Sequence, residues 1–97
     1  MALPIVDVTD LYEAAYILTC GNRIEEVRCI PLSEGISCQI TLTGETAEYA
    51  QTVYATGQAQ VNVHAFRRAY GQVNSFIHEA KKNYDRERRR LRNGGGL

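Results

Sequence analysis

The sequence predicts an α+β protein in which a two-stranded antiparallel β-hairpin packs with three helices, the last of them long. Apolar and polar residues alternate over residues 36–43, which is typical of a strand with one buried face. Apolar residues recur at helical spacing over residues 10–20, 46–56 and 63–92. A chain of 97 residues, 44% of them hydrophobic, is long enough for one small core and too short for a deep enzyme pocket. The predicted order of elements is therefore α-β-β-α-α in one domain.

The first helix is predicted over residues 10–20. Asp10 and Glu13 have the spacing of a capping box, in which each side chain satisfies a free backbone donor. Gly21 and Asn22 then supply a left-handed stop. The stripe expected to face the core consists of Leu11, Ala14, Ala15 and Leu18. The residues expected at its margins are Tyr12, Tyr16 and Ile17.

The hairpin is predicted to comprise strands 23–30 and 36–43. A two-residue turn at Ser33-Glu34 would place Cys29 opposite Cys38 and Val27 opposite Ile40, so that loop length and apolar pattern agree. A turn with Gly35 as a bulge would shift that pairing. Both registers are compatible with the sequence.

The second helix is predicted over residues 46–56, with Gly57 as its stop, and Asn62 is expected to cap the third helix at residue 63. The third helix carries one apolar stripe: Phe66, Tyr70, Val73, Ile77, Ala80, Tyr84 and Leu91. We expect residues 1–84 to form the compact domain. Residues 85–97 are expected to form a projecting Arg-rich helix end and a flexible Gly-rich tail that begins at Asn93.

Charge is divided along the chain although the net charge is zero. Residues 1–66 carry two Lys or Arg against eight Asp or Glu, whereas residues 67–97 carry nine against three. The cations predicted to bind a partner are Lys81, Lys82, Arg86, Arg88, Arg89, Arg90 and Arg92. Guanidinium groups suit phosphates, so the expected partner is the nucleic-acid backbone or an acidic protein surface. The alternative is a solvated helix end whose charges pair internally as Asp85–Arg89 and Glu87–Arg90.

Two strings carry a resemblance to a known family. Residues 11–18 (LYEAAYIL), followed by Gly21-Asn22 and the strand opening RIEEV, resemble an opening in which an LAAYLL helix ends in a glycine turn before a hairpin. Residues 54–66 (YATGQAQVNVHAF) resemble a YxNGxxxVDPxxF stretch between the last two helices. The chain is thus similar, over residues 10–80, to the DUF5659-like family of small uncharacterised bacterial and phage-associated proteins.

The resemblance implies the same order of elements and an association with phages or mobile elements, and it implies no activity. Asn62-Val63 stands where the family usually has Asp-Pro, and the Arg-rich extension 85–92 goes beyond the shared part.

Catalytic and metal chemistry are poorly supported. Cys20, Cys29 and Cys38 are spaced by nine residues without a Cys-x-x-Cys pair, so we expect buried thiols, no metal site and no cofactor. Oxidation of Cys29 with Cys38 is conceivable in the first register, but an odd thiol count argues against a structural disulfide. His64 and His78 fall on the polar face of the third helix, away from the thiols.

We therefore expect a non-catalytic binding or accessory module whose basic helix docks on nucleic acid or on an acidic surface of a nucleoprotein complex, and an inhibitor or regulator of such a complex would have the same sequence features. No small-molecule substrate is expected. The alternative is a structural protein that self-assembles through the long helix, with Tyr84 and Leu91 as the contact between copies. The apolar stretch at residues 2–6 is too short for a membrane span, and a cytoplasmic location is expected.

Overall fold

The computed structural model describes residues 2–94 and has the element order β-α-β-β-α-α. The elements are β1 (Ile5–Val8), α1 (Leu11–Thr19), β2 (Arg23–Leu32), β3 (Gly35–Thr43), α2 (Ala47–Ala55) and α3 (Val63–Gly94). The three strands form one antiparallel sheet in the order β1-β3-β2. The α+β class, the three helices and the long last helix are confirmed. The two-stranded hairpin is corrected to a three-stranded sheet.

β1 is the strand that the sequence analysis missed. It pairs with the free edge of β3, so that Val6 lies opposite Leu42 and Val8 lies opposite Ile40. Both valines are buried, whereas Ile5 is exposed on the other face. Four residues are too few to show a clear alternation of apolar and polar residues. Asp7 also lies shortly before the first helix, where acidic residues are common. In the structure Asp7 Oδ1 accepts a hydrogen bond from Thr41 Oγ1 on the outer face of the sheet.

The hairpin has the first of the two predicted registers. Leu32 pairs with Gly35, which leaves Ser33-Glu34 as the turn, and Cys29 lies opposite Cys38. Gly35 therefore does not shift the pairing. An irregularity between Ile24 and Glu26 leaves Glu25 as a bulge near the start of β2.

α1 lies on the inner face of the sheet and contacts α2 and α3 as well. Ile17, Ile40, Leu42 and Val73 are fully buried where these layers meet. Tyr16 and Ile17, expected at the margin of the α1 stripe, are in fact buried, because neighbours cover this helix on several sides. The apolar arc of α1 is consequently wider than one stripe.

The Asp10 half of the predicted capping box and the predicted Asn62 cap are formed. Asp10 Oδ1 accepts hydrogen bonds from the backbone N–H of Tyr12 at 2.8 Å and of Glu13 at 3.3 Å. Asn62 Oδ1 accepts from the N–H of Ala65 at 3.1 Å. α3 continues to Gly94, past the predicted start of the flexible tail, and residues 95–97 of that tail lie outside the described residues.

Candidate polyanion-binding surface on the long helix

One side of α3 packs on the domain. Val73 and Ile77 of the predicted apolar stripe are buried, and so is Ala69 beside it. Ile24 of β2 shares a shallow depression with Gln72 and Phe76 of α3. The later β2 residue Cys29 lies within electrostatic range of Lys81 and Asp85. α3 and β2 therefore run side by side in the same direction, and the opposite side of α3 faces solvent.

The predicted cations lie on the solvent-facing side and at the end of α3. Six of the seven have described side chains, and all six are exposed: Lys81, Lys82, Arg86, Arg88, Arg89 and Arg90. The side chain of Arg92, the seventh predicted cation, lies outside the described part of the chain. Every described side chain from Asp85 to Leu91 is exposed, so the rest of the domain does not bury this segment.

Two open depressions gather cationic side chains. One, of about 280 Å³, is lined by Lys82, Asp85, Arg86 and Arg89. Spacings of four and three residues put Lys82, Arg86 and Arg89 on adjoining turns of the helix. These three cations thus line one hollow together with a single carboxylate, that of Asp85.

The second depression lies near the N-terminal end of α3. It has a volume of about 470 Å³ and is lined by His64, Arg67 and Arg68. Arg67 and Arg68 are not among the predicted site residues, although both lie at helical spacing from His64, which is a signal visible in the sequence. The two hollows are roughly 30 Å apart along the helix, at 1.5 Å per residue.

Among the described side chains, no carboxylate forms an ion pair with a cation of α3. Among the side chains described in the structure, the ion pair present joins Arg28 Nε to Glu26 Oε2 on β2, at 3.8 Å. The predicted internal pairs Asp85–Arg89 and Glu87–Arg90 are not formed. The positive charge of α3 is consequently exposed to solvent and to any anionic partner.

Tyr84 and Leu91, the predicted contact between copies, have different environments. The guanidinium carbon of Arg88 lies 5.9 Å from the centre of the Tyr84 ring, and Tyr84 is half-buried. Leu91 is 71% exposed. Part of the Tyr84 ring is therefore covered by its own helix, whereas Leu91 is uncovered.

An aromatic cluster joins the start of α1 to the start of α3. The ring of Tyr12 stacks on Tyr70 at 5.3 Å and on Phe66 at 6.2 Å between centroids. Tyr12 remains 57% exposed. The cluster ties α1 to the first two turns of α3.

Two groups packed around α1 have raised pKa values. Burial, and then the nearby Asp10 carboxylate, raises the pKa of Glu13. Burial, and then a hydrogen bond from its hydroxyl to Asp10 Oδ2, raises the pKa of Tyr54. These shifts follow from packing around α1, and neither group lines either of the two hollows.

Within residues 2–94 no group of three or more His, Cys, Asp or Glu side chains is placed to hold a metal ion. None of the described helices combines the length and the apolar character needed to cross a membrane. No protein-family model, no characterised protein and no solved structure matches the chain. Function is therefore inferred from the surface of α3 alone.

Proposed function

We propose that this protein is a non-catalytic binding module that docks on the phosphate backbone of nucleic acid through α3. The observation that supports the proposal is the hollow formed by Lys82, Arg86 and Arg89, whose cations have no ion-pair partner among the described side chains. Backbone phosphates are regularly spaced anions, and guanidinium groups bind them in a bidentate manner. A second hollow at Arg67 and Arg68 extends the same charge along the helix.

Nucleic acid fits this surface better than an acidic protein does. Stable protein interfaces have a dry centre of aromatic and apolar side chains. The residues that line the two hollows are all polar or charged. Binding would be dominated by release of counterions from the phosphates, and it would carry little sequence specificity.

The test is a salt titration of binding to a fluorescent DNA duplex, with intact protein and two double variants. Arg86→Gln with Arg89→Gln removes two charges from the hollow. Arg23→Gln with Arg28→Gln removes two charges from β2 and is the matched control. For B-DNA the slope of log affinity against log salt is expected to become shallower by about 1.8 in the α3 variant, since each phosphate contact contributes about 0.9. The control variant is expected to keep the slope of the intact protein.

Equal losses in both double variants would contradict the proposal, because they would show a response to net charge only. Absence of salt-dependent binding would contradict it as well. Stronger binding to poly-glutamate than to the duplex would move the assignment to an acidic protein partner.

The second candidate function is self-assembly. The exposed Leu91 and the opposite charges of the two chain segments favour it. It predicts a dimer or larger species in solution that loses its contact when Leu91 is changed to Glu.

A further inference from the structure

Two of the three cysteines of the chain face each other across the hairpin. Cys29 on β2 is the direct partner of Cys38 on β3, and no register shift occurs between this pair and the turn. Both thiols are free and half-buried, so small reagents in solvent reach them. Cys20 lies apart from them at the end of α1, where its thiol is next to the hydroxyl of Tyr16.

The position of Pro31 fixes the kind of pair that the two cysteines form. Pro31 is paired with Ile36, and proline has no N–H to donate, so this is a non-hydrogen-bonded pair. Pair types alternate along an antiparallel ladder, and Cys29–Cys38 is two pairs further on. It is therefore also a non-hydrogen-bonded pair, for which the Cα atoms lie about 4.5 Å apart.

That separation is within the range that a disulfide bridges, at its short end. The two Cβ atoms point to the same face of the sheet, because directly opposed residues share a face. Closing the bond needs no large movement of the backbone.

The surroundings determine when the pair reacts. Burial, and then the neighbouring Cys38 thiol, raises the pKa of Cys29, while Lys81 on α3 acts in the opposite direction. The thiolate is the nucleophile in exchange, so the pair is expected to be slow at neutral pH and faster as the pH rises.

We propose that Cys29 and Cys38 form a dithiol site that exchanges with small disulfides. In the first step one thiolate attacks a sulfur of the small disulfide, which forms a mixed disulfide and releases one small thiolate. In the second step the other cysteine, as thiolate, attacks the protein sulfur of the mixed disulfide and releases the second small thiolate. The two protein thiols are oxidised by two electrons, the small disulfide is reduced to two thiols, and the two protons lost by the cysteines end on those thiols.

The test uses the intact protein and glutathione disulfide as the probe. Free thiols are expected to fall from three to one, and the protein mass is expected to fall by two hydrogen atoms. Dithiothreitol should restore all three thiols. The rate should rise about tenfold per pH unit below the thiol pKa, because the thiolate fraction rises by that factor.

Variants assign the site. In Cys20→Ser the two remaining thiols, those of Cys29 and Cys38, are expected to form the internal disulfide as they do in the intact protein. Cys29→Ser and Cys38→Ser are each expected to stop at a mixed disulfide that carries one glutathione. A matched control, Cys38→Ser with Gln39→Cys, keeps three thiols but moves one to the opposite face of β3, and it is expected to form no internal bond.

Retention of three thiols by the intact protein at pH 8.5 would overturn the proposal. A mixed disulfide on Cys20 alone would overturn it too. Circular dichroism of each variant separates loss of exchange from loss of fold. The readout is independent of nucleic-acid binding, so this proposal and the proposed function fail separately.

Discussion

At the scale of single residues, Asn22 ties the end of α1 to the start of α2. Its Nδ2 donates to the carbonyl of Ile17 at 2.9 Å and to Thr46 Oγ1 at 3.0 Å. Thr46 Oγ1 in turn donates to the carbonyl of Cys20 at 3.0 Å. A Cβ added to Gly44 would lie 2.0 Å from Asn22 Oδ1, so only glycine fits beside this buried amide.

The contact between Gly44 and Asn22 gives the first prediction. Gly44→Ala is expected to lower the free energy of unfolding by about 2–4 kcal/mol, through overpacking together with a positive φ of +157°. Gly71→Ala is the matched control, since its Cβ meets nothing within 4 Å. Because Gly71 is in the interior of α3, the control is expected to be stabilised by about 0.5–1 kcal/mol. Urea unfolding measures both, and an unchanged midpoint for Gly44→Ala would contradict the packing described.

Tyr54 gives a prediction on pH. Burial and the hydrogen bond to Asp10 raise the pKa of Tyr54 in the folded state, so the native protein holds this proton more tightly than the unfolded chain does. The stability that this adds is complete below the ordinary tyrosine pKa of about 10 and is lost as the pH rises through the folded pKa.

Tyr54→Phe is expected to lower the free energy of unfolding by about 0.5–1.5 kcal/mol at pH 8, which is the usual net contribution of one hydrogen bond. Its stability should also fall less steeply than that of the intact protein between pH 9.5 and 11. Urea unfolding across this range is the measurement. Parallel pH profiles for the two proteins would show that Tyr54 does not carry the effect.

At the scale of elements, β1 gives the third prediction. Val6 and Val8 point to the core, whereas the neighbouring Ile5 is 53% exposed. Val6→Ala is expected to lower the free energy of unfolding by about 1–3 kcal/mol, because buried methyl groups are lost and a cavity remains. Ile5→Ala is expected to change it by less than about 0.5 kcal/mol. Similar losses in thermal unfolding for both variants would mean that β1 does not pair as described.

The elements that could be predicted from the sequence are those whose signals are local. The side chains of Asp10 and Asn62 cap the helices that follow them, so each residue indicates where a helix begins. The Ser33-Glu34 turn determines the pairing of Cys29 with Cys38. β1 could not be predicted in this way, because its four residues form a strand only when the edge of β3 is present beside them. Burial of Tyr16 likewise depends on helices far along the chain.

The candidate site was predicted in part for the same reason. The Arg-rich run is visible in the sequence, and the structure places the described cations of that run on the exposed part of α3. The grouping of Lys82, Arg86 and Arg89 around one hollow depends on side-chain positions. The position of the Arg88 guanidinium over the Tyr84 ring depends on side-chain positions as well. Because Tyr84 is partly covered in this way, Leu91 is the more available residue of the predicted contact between copies.

At the scale of the whole molecule, charge and shape are separated along one axis. The molecule measures 54 × 32 × 22 Å over the described residues, and α3, with about 48 Å at 1.5 Å per residue, accounts for most of the long dimension. Residues 1–66 carry an excess of six negative charges, and residues 67–97 carry an excess of six positive charges. Such a molecule repels a second copy that lies parallel beside it, and it attracts one that lies antiparallel or head to tail.

The last prediction follows from this charge separation. The protein is expected to associate weakly at about 20 mM salt and to be monomeric at about 150 mM, where the Debye length falls to about 8 Å and contacts between exposed charges are screened. Sedimentation equilibrium at both salt concentrations measures the change.

Arg86→Gln with Arg89→Gln should weaken the low-salt association. Leu91→Glu should add only the small effect of one further charge, because a single exposed leucine covers too little area for a stable interface. A dimer that persists at 150 mM salt and dissociates in Leu91→Glu would contradict this prediction, and it would identify the exposed end of α3 around Leu91 as the contact between copies.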